Sequence, residues 1–374
     1  LQFMSPNAVP SNDSTIPHLF SLSVPTSVAD ELYDCHPHSC NHLLTRSSIE
    51  LFFEKIHGFV PIFHRPRFYA QLAQRPAEER FTALSIESAF ILNGMFALAA
   101  RFSTSGFFSG IPVKERGDGF ALQAQSLYQD CIRASELEIP SLAYLQGAIL
   151  LNFYQSVSGP NARTWVLTGL CCRLAYDLGL NTLDDDILGK SQTKEVQWSS
   201  VEDWVQREEL RRAWWSVWEL DTFSSTLSCR PFTIDRNRMQ VLLPAPDKEW
   251  FSETPIASAG IGSTPLSAWK SLQGSPNQDV RAWFLVCNFL MELAHEMSQK
   301  TSISPQVKRD MESALSCFAL VLPGEFHLSS GSLIFDEENY TKSNWIIATN
   351  LMLQRLVTQA SAAINPGSPE LTHA

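Results

Sequence analysis

The sequence predicts an all-α fold, a large multi-helix domain of stacked antiparallel helices. Apolar residues recur at helical spacing through one segment after another, and glycines and prolines punctuate the segment ends. No run shows the apolar–polar alternation of a half-buried strand. The chain of 374 residues is 44% apolar and 11% aromatic, with 10 Trp and 23 Phe, which is material for one extended helical core and excludes a disordered chain. No periodic sequence repeat is present.

Residues 1–47 are rich in Ser, Pro, Asn and His without a sustained period, and read as a linker or N-terminal arm. Within the arm, "DCHPHSCNH" gathers Cys35, His36, His38, Cys40 and His42. Cys and His supply tetrahedral zinc ligands, but no second pair follows at a finger-like distance, so a polar loop is the expectation. From Ser48 the helical period begins: Ile49, Phe52, Phe53 and Ile56 follow i, i+3, i+4, i+7, with Ser47 or Ser48 as N-cap. Pro61 and Pro66 in "VPIFHRPRF" are expected to break the helix twice. His57 and His64 beside them are expected to be packed, backbone-bonded imidazoles. "AFILNGMFALAARFS" (89–103) is apolar nearly all round, as a central buried helix would be. Helices follow at 117–135, at 141–159 ending on Gly159-Pro160, and at 162–180 through Trp165, Leu170, Leu174 and Leu178. "SGPNAR" between the last two reads as a turn and cap. Residues 181–203, with "LDDD", are expected to be an acidic surface connection. A tryptophan-rich helix comes next, and "CRPFTIDRNRMQVLLPAPD" after it is irregular because of its prolines. Further helices are expected at 265–273, 278–299, 305–321 and 338–364.

Several function classes are disfavoured. The formal charge of −11 and the lack of a basic stripe argue against direct DNA contact by these residues. No apolar run is long enough to span a membrane, and the N-terminus lacks the order of a secretion signal. Eight scattered cysteines, two of them adjacent (Cys171, Cys172), fit a reducing compartment better than a disulfide framework. There is no Gly-x-Ser-x-Gly elbow and no Gly-rich phosphate loop. The chain opens on Leu1, so an upstream segment is expected.

The stretch "EELRRAWWSVWELDTFSSTLSCRPFTI" (208–234) poses a sharper question. At 100° per residue, Leu210, Ala213, Trp214, Val217, Trp218 and Leu220 form one apolar arc, with Asp221 near its middle and Arg212 and Glu219 opposite. An unpaired buried carboxylate is costly, so a partner is required. Arg230, aimed by the rigid Pro231, is the expected one, as a bidentate fork.

"FFEKIHGFVPIFHRPRF", "TWVLTGLCCRLAYDLGL", "REELRRAWWSVWELDTFSSTLSCRPFTI" and "VLLP" resemble, in order and spacing, the fungal-specific transcription factor domain. That domain is the regulatory middle region of Zn2Cys6 binuclear-cluster regulators, and the resemblance covers about 48–320. It implies a helical regulatory domain over 48–374 in a nuclear protein that forms homo- or heterodimers, engages transcriptional co-regulators and senses a small apolar ligand, with a place in secondary metabolism. The resemblance marks Arg211, Arg212, Trp214, Trp215, Asp221, Arg230 and Pro231 as fold signatures, and calls for no metal or other cofactor in this region. The family's zinc cluster is not in this sequence, which contains no Cys-x-x-Cys. Either the cluster lies upstream or the domain works without one.

A contrasting alternative is an enzyme: an all-helical, Mg2+-dependent terpene cyclase of the sesquiterpene, humulene type, acting on farnesyl diphosphate in the cytoplasm. Asp221 and Glu219 would hold the Mg2+, while Lys270 and Arg230 would meet the leaving diphosphate. Against it, "DDDIL" at 184 fails the Asp-Asp-x-x-Asp pattern, and "DTFSSTLS" places Ser228 where a Glu is needed.

Overall fold

In a computed structural model of the protein, the described residues are 42–74, 84–134, 140–159, 161–188, 198–300, 302–328, 333–336 and 339–362. Residues 1–41 lie outside them, and with them Cys35, His36, His38 and Cys40. His42 opens the first helix.

The described residues form α-helices, short 3₁₀ turns and irregular segments, with one isolated bridge between Leu242 and Gly260. The helices are α1 (His42–Lys55), α2 (Arg65–Gln74), α3 (Ile86–Ala99), α4 (Asp118–Ala134), α5 (Leu142–Val157), α6 (Ala162–Asp177), α7 (Asp185–Leu188) and α8 (Val201–Ser228), followed by α9 (Asp247–Phe251), α10 (Lys270–Gln273), α11 (Val280–Ser298), α12 (Pro305–Val321) and α13 (Tyr340–Ala362). The all-α expectation holds. Among the described residues no helix is long and apolar enough to cross a membrane.

Several boundaries differ from the sequence reading for identifiable reasons. Helix α1 starts at His42, so Ser48 is a buried helix residue rather than a cap. Pro66 does not break a helix. It sits in the first turn of α2, where a missing N–H costs nothing. Asn161 caps α6 by accepting from the amides of Arg163 and Thr164, as a turn-and-cap segment should.

Helix α3, apolar on every side, packs against α1, α4 and α5. Two glycines set how closely α3 and α5 approach. A Cβ on Gly147 would meet Phe90 Cδ1 at 2.4 Å, and one on Gly94 would meet Leu150 Cβ at 2.8 Å. On the other side α11 packs on α13, and α13 on α12.

Helix α8 joins the two groups, touching α5, α6 and α11. Ser200 caps it through the Asp203 amide, and Glu202 and Asp203 complement the positive end of its dipole. It spans 28 residues, or about 42 Å, and stops at Cys229, which takes a left-handed conformation with φ 52°. Trp214, Trp215 and Trp218 are fully buried, and Trp215 Nε1 donates to Leu242 O at 2.7 Å. The sequence reading gave α8 a polar face bearing Arg212 and Glu219. The structure buries every residue from Arg211 to Thr222, so the charges on that face need partners inside the protein.

Candidate functional site

Two sites converge on α8, one charged and closed, the other apolar and open. The closed one is built on Arg211 and Arg212, both essentially without solvent exposure. Arg211 forks onto Asp184, with Nε to Oδ2 at 2.9 Å and Nη2 to Oδ1 at 2.7 Å, and also reaches Glu208. Arg212 donates to Glu208 Oε1 at 3.0 Å, to Asp247 and to Ala245 O, and lies 4.0 Å over the Trp250 ring. The acids are held in turn by backbone: Leu242 N donates to Asp184 and Ala245 N to Glu208, each at 2.8 Å. The network therefore fastens the "VLLP" segment onto α8.

Asp184 corrects the sequence reading. The "LDDD" segment was expected on the surface, yet Asp184 is 0% exposed and accepts the arginine fork that had been expected at Asp221. Glu208 is also fully buried. Glu208 stands three residues before Arg211 and four before Arg212, a spacing at which opposite charges meet on a helix. That signal was available in the sequence. Asp184 and Asp247, 27 and 35 residues from their partners, left none.

The expected Asp221–Arg230 pair does not form. After Cys229 turns the chain, Arg230 N donates to Ser225 O and the strand doubles back along α8. Thr233 N and Ile234 N then donate to Asp221 Oδ2 at 2.8 and 2.9 Å. Two otherwise unmatched amides provide what the guanidinium was expected to provide. Arg230 instead lies 4.7 Å over the ring of Trp165 on α6. Pro231 contributes its carbonyl to Ser225 Oγ at 3.2 Å. Burial raises the Asp221 carboxyl above its usual range, and the two amides oppose that rise.

The Mg2+ alternative is not assembled either. Asp221 and Glu219 point about 200° apart around α8, and their partners differ. Glu219 Oε2 accepts from Arg281 Nη2 of α11 at 2.9 Å. Lys270 is exposed at the start of α10, and Arg230 is on Trp165. Among the described residues no three acidic, His or Cys side chains are grouped to hold a metal ion. The described cysteines are free, and Cys171 and Cys172 are buried. His57 and His64 each donate Nε2–H to a backbone carbonyl, Phe63 O at 2.8 Å and Trp250 O at 2.9 Å. Burial lowers the His57 pKa to about 4, so the ring is neutral.

The open site is a cavity of about 550 Å³ between α5, α6, α8, α11 and α13. Its walls are mainly apolar, with Phe153 from α5, Leu220 and Phe223 from α8, Phe284 from α11, and Trp345 and Met352 from α13. Size and lining are those of a site for a small organic molecule. Seven polar side chains interrupt the lining: Ser156 of α5, Thr164 of α6, four from α8, and Arg355 of α13. The four from α8 are Ser216, Glu219, Ser224 and Thr226, and the helix presents Ser216, Glu219, Phe223 and Thr226 as one stripe at spacings of three, four and three residues. The sequence reading expected a small apolar ligand but did not identify this stripe, although its periodicity was visible.

Comparison with known proteins follows the same chain segments. The family model described as the fungal specific transcription factor domain matches residues 49–320. The tropolone cluster transcription factor tropK of Talaromyces stipitatus is 27% identical over 61% of this chain and 38% of its own length. The pigment biosynthesis transcriptional activator pigB of Monascus ruber is 26% identical over 58% of this chain and 36% of its own. Transcription factor tazR of Aspergillus terreus is 24% identical, over 68% and 35%. The chain thus spans little more than a third of the length of these curated relatives. No solved structure matches it significantly.

Proposed function

The chain belongs to the fungal specific transcription factor domain family, and from that premise we propose that it is the regulatory region of a transcription factor whose activity is set by a small apolar ligand. The observation that carries the ligand reading is the 550 Å³ aromatic cavity on α8. A void of that size in a helical body forfeits the contacts that close packing would supply. An apolar guest restores them and can thereby bias how the helices around it are arranged.

Under this reading the complete protein works in the nucleus as a homo- or heterodimer and passes the state of the cavity to transcriptional co-regulators. The charge of −11 leaves DNA contact to other parts of the protein. The names of the tropolone and pigment regulators support control of genes for a small secondary product.

The test uses all 374 residues fused to a heterologous DNA-binding module in a fungal reporter strain. The fusion should shift reporter transcription relative to the module alone. Ala348→Phe, which fills the cavity from its α13 wall, should change that shift. A folded fusion that leaves the reporter untouched would sink the regulatory reading.

A further inference from the structure

The cavity's polar groups have a property that an apolar lining does not explain. Glu219 Oε1, Ser216 Oγ, Thr226 Oγ1 and Thr164 Oγ1 are all buried, all belong to residues lining the cavity, and none has a hydrogen-bond partner in the protein. Buried hydroxyls on helices usually bond back to a carbonyl one turn earlier. Those of Ser216, Thr226 and Thr164 do not. Leaving such groups without partners is costly, and each one calls for an explanation, of which a bound molecule that completes it is one.

Their placement is graded. Ser216 and Glu219 stand three residues apart on α8, about 4.5 Å along the axis, and Thr226 stands seven residues further, about 10 Å away. Exposure rises in the same direction. Ser216 and Glu219 are buried, whereas Leu227 is 59% exposed and, across from it on α13, Leu351 is 61% exposed. The polar pair therefore forms the inner end of the cavity, and its mouth is rimmed by the apolar Leu227 and Leu351 with the exposed Arg355 beside them.

Charge narrows the chemistry further. Glu219 is bound through Oε2 to Arg281, so the carboxylate is already neutralised by a buried guanidinium. A cationic ligand group placed there would bring an excess positive charge into a water-poor site. A neutral O–H brings none. It can donate to Glu219 Oε1 in a charge-assisted bond and accept from Ser216 Oγ.

We infer that the cavity selects an elongated apolar molecule carrying a neutral hydroxyl, phenolic or enolic, seated inward against Glu219 and Ser216 with its apolar body directed to the mouth. This inference rests on the ligand-cavity reading above and adds the class and orientation of the ligand.

The experiment measures displacement of N-phenyl-1-naphthylamine, a neutral fluorescent probe of apolar cavities, from the full chain. Three competitors share one apolar tail: 4-nonylphenol, its methyl ether 4-nonylanisole, and 4-nonylbenzylamine, which is cationic at pH 7. The phenol should compete at least about tenfold more tightly than the ether, the worth of one charge-assisted hydrogen bond, and more tightly than the amine. Ser216→Ala and, separately, Glu219→Gln should bring phenol and ether to within about threefold while the naphthylamine still binds. Ser216→Ala removes no charge, so it tests the inference even if Glu219→Gln unfolds the chain. Equal competition by phenol and ether, or preference for the amine, would overturn the inference and leave the cavity reading standing. Failure of the naphthylamine to bind, or binding indifferent to Ala348→Phe, would overturn both.

Discussion

Replacing Asp184 by Ala tests whether the buried arginine network holds the fold together. The substitution strands two donors of Arg211, Nε and Nη2, in a site with no solvent, and leaves Leu242 N without its acceptor. Breaking a buried pair from one side costs about 3 to 5 kcal/mol, and Arg211 is then left with Glu208 alone, a carboxylate it shares with Arg212. The orphaned amide adds about 1 kcal/mol or more. Against a total stability of about 5 to 15 kcal/mol, that is about a quarter of the margin or more. With a urea m-value of roughly 3 to 4 kcal/mol/M for a chain of this size, the midpoint should fall by about 1 to 2 M. Arg211→Met should cost a similar amount by freeing Asp184. The double variant should cost less than the sum of the two by about 2 to 3 kcal/mol, since neither partner then remains stranded. Urea melts of the four proteins, followed by tryptophan fluorescence, give the coupling directly. Losses that add to within about 0.5 kcal/mol would refute the argument.

The same cycle on Asp221 and Arg230 should return no coupling, because the two side chains do not meet; Asp221→Ala should still cost about 1 to 3 kcal/mol by releasing the Thr233 and Ile234 amides. Burial first, and then the nearby Glu296 and Asp221 charges, raise the Glu292 pKa to about 8 in spite of Arg236. The folded chain therefore holds a proton there that the unfolded chain releases near pH 4.5, so Glu292 makes stability fall as pH rises from about 4.5 to about 8. Glu292→Gln should flatten that slope, and melts at pH 5 and pH 8.5 that change equally would count against it. Titration of the 374-residue chain onto random duplex DNA at low salt should give no salt-sensitive complex in the micromolar range, as expected for a chain of charge −11. The enzyme alternative is checked by incubation with farnesyl diphosphate and Mg2+. No pyrophosphate release is expected, because Asp221 and Glu219 each hold other partners; release lost on adding EDTA would reverse that expectation.

How much of this was legible in the sequence depended on distance along the chain. Helices α3, α5, α6, α11 and α12 came out close to their ends, because period, cap and stop signals are all local. Asp221 was rightly marked as a carboxylate in need of a partner, but the partner depended on the path of the chain beyond Cys229. A left-handed turn there directs amides rather than a guanidinium at it. Asp184 was hidden for the opposite reason. A run of three aspartates looks solvated, and only the approach of α8 reveals that one of the three faces inward. The polar stripe of the cavity could have been read. Ser216, Glu219 and Thr226 keep helical spacing, but among tryptophans they were passed over as ordinary helix positions.

The arginine network also constrains the order in which the chain can fold. Arg212 reaches Pro61 O, 151 residues away, as well as Ala245 O and Asp247, while Arg211 reaches Asp184. Closing those loops is entropically expensive, and a half-assembled cluster of dehydrated charges is worse than one left in water. The charges should therefore stay hydrated until the helices on both sides of α8 have docked, and lose their water together in a late step. Such a step makes the body close as a unit. It also means that a nascent chain stopped before Asp247 leaves Arg212 short of its partners, exposing the tryptophan helix at the stage when aggregation threatens most.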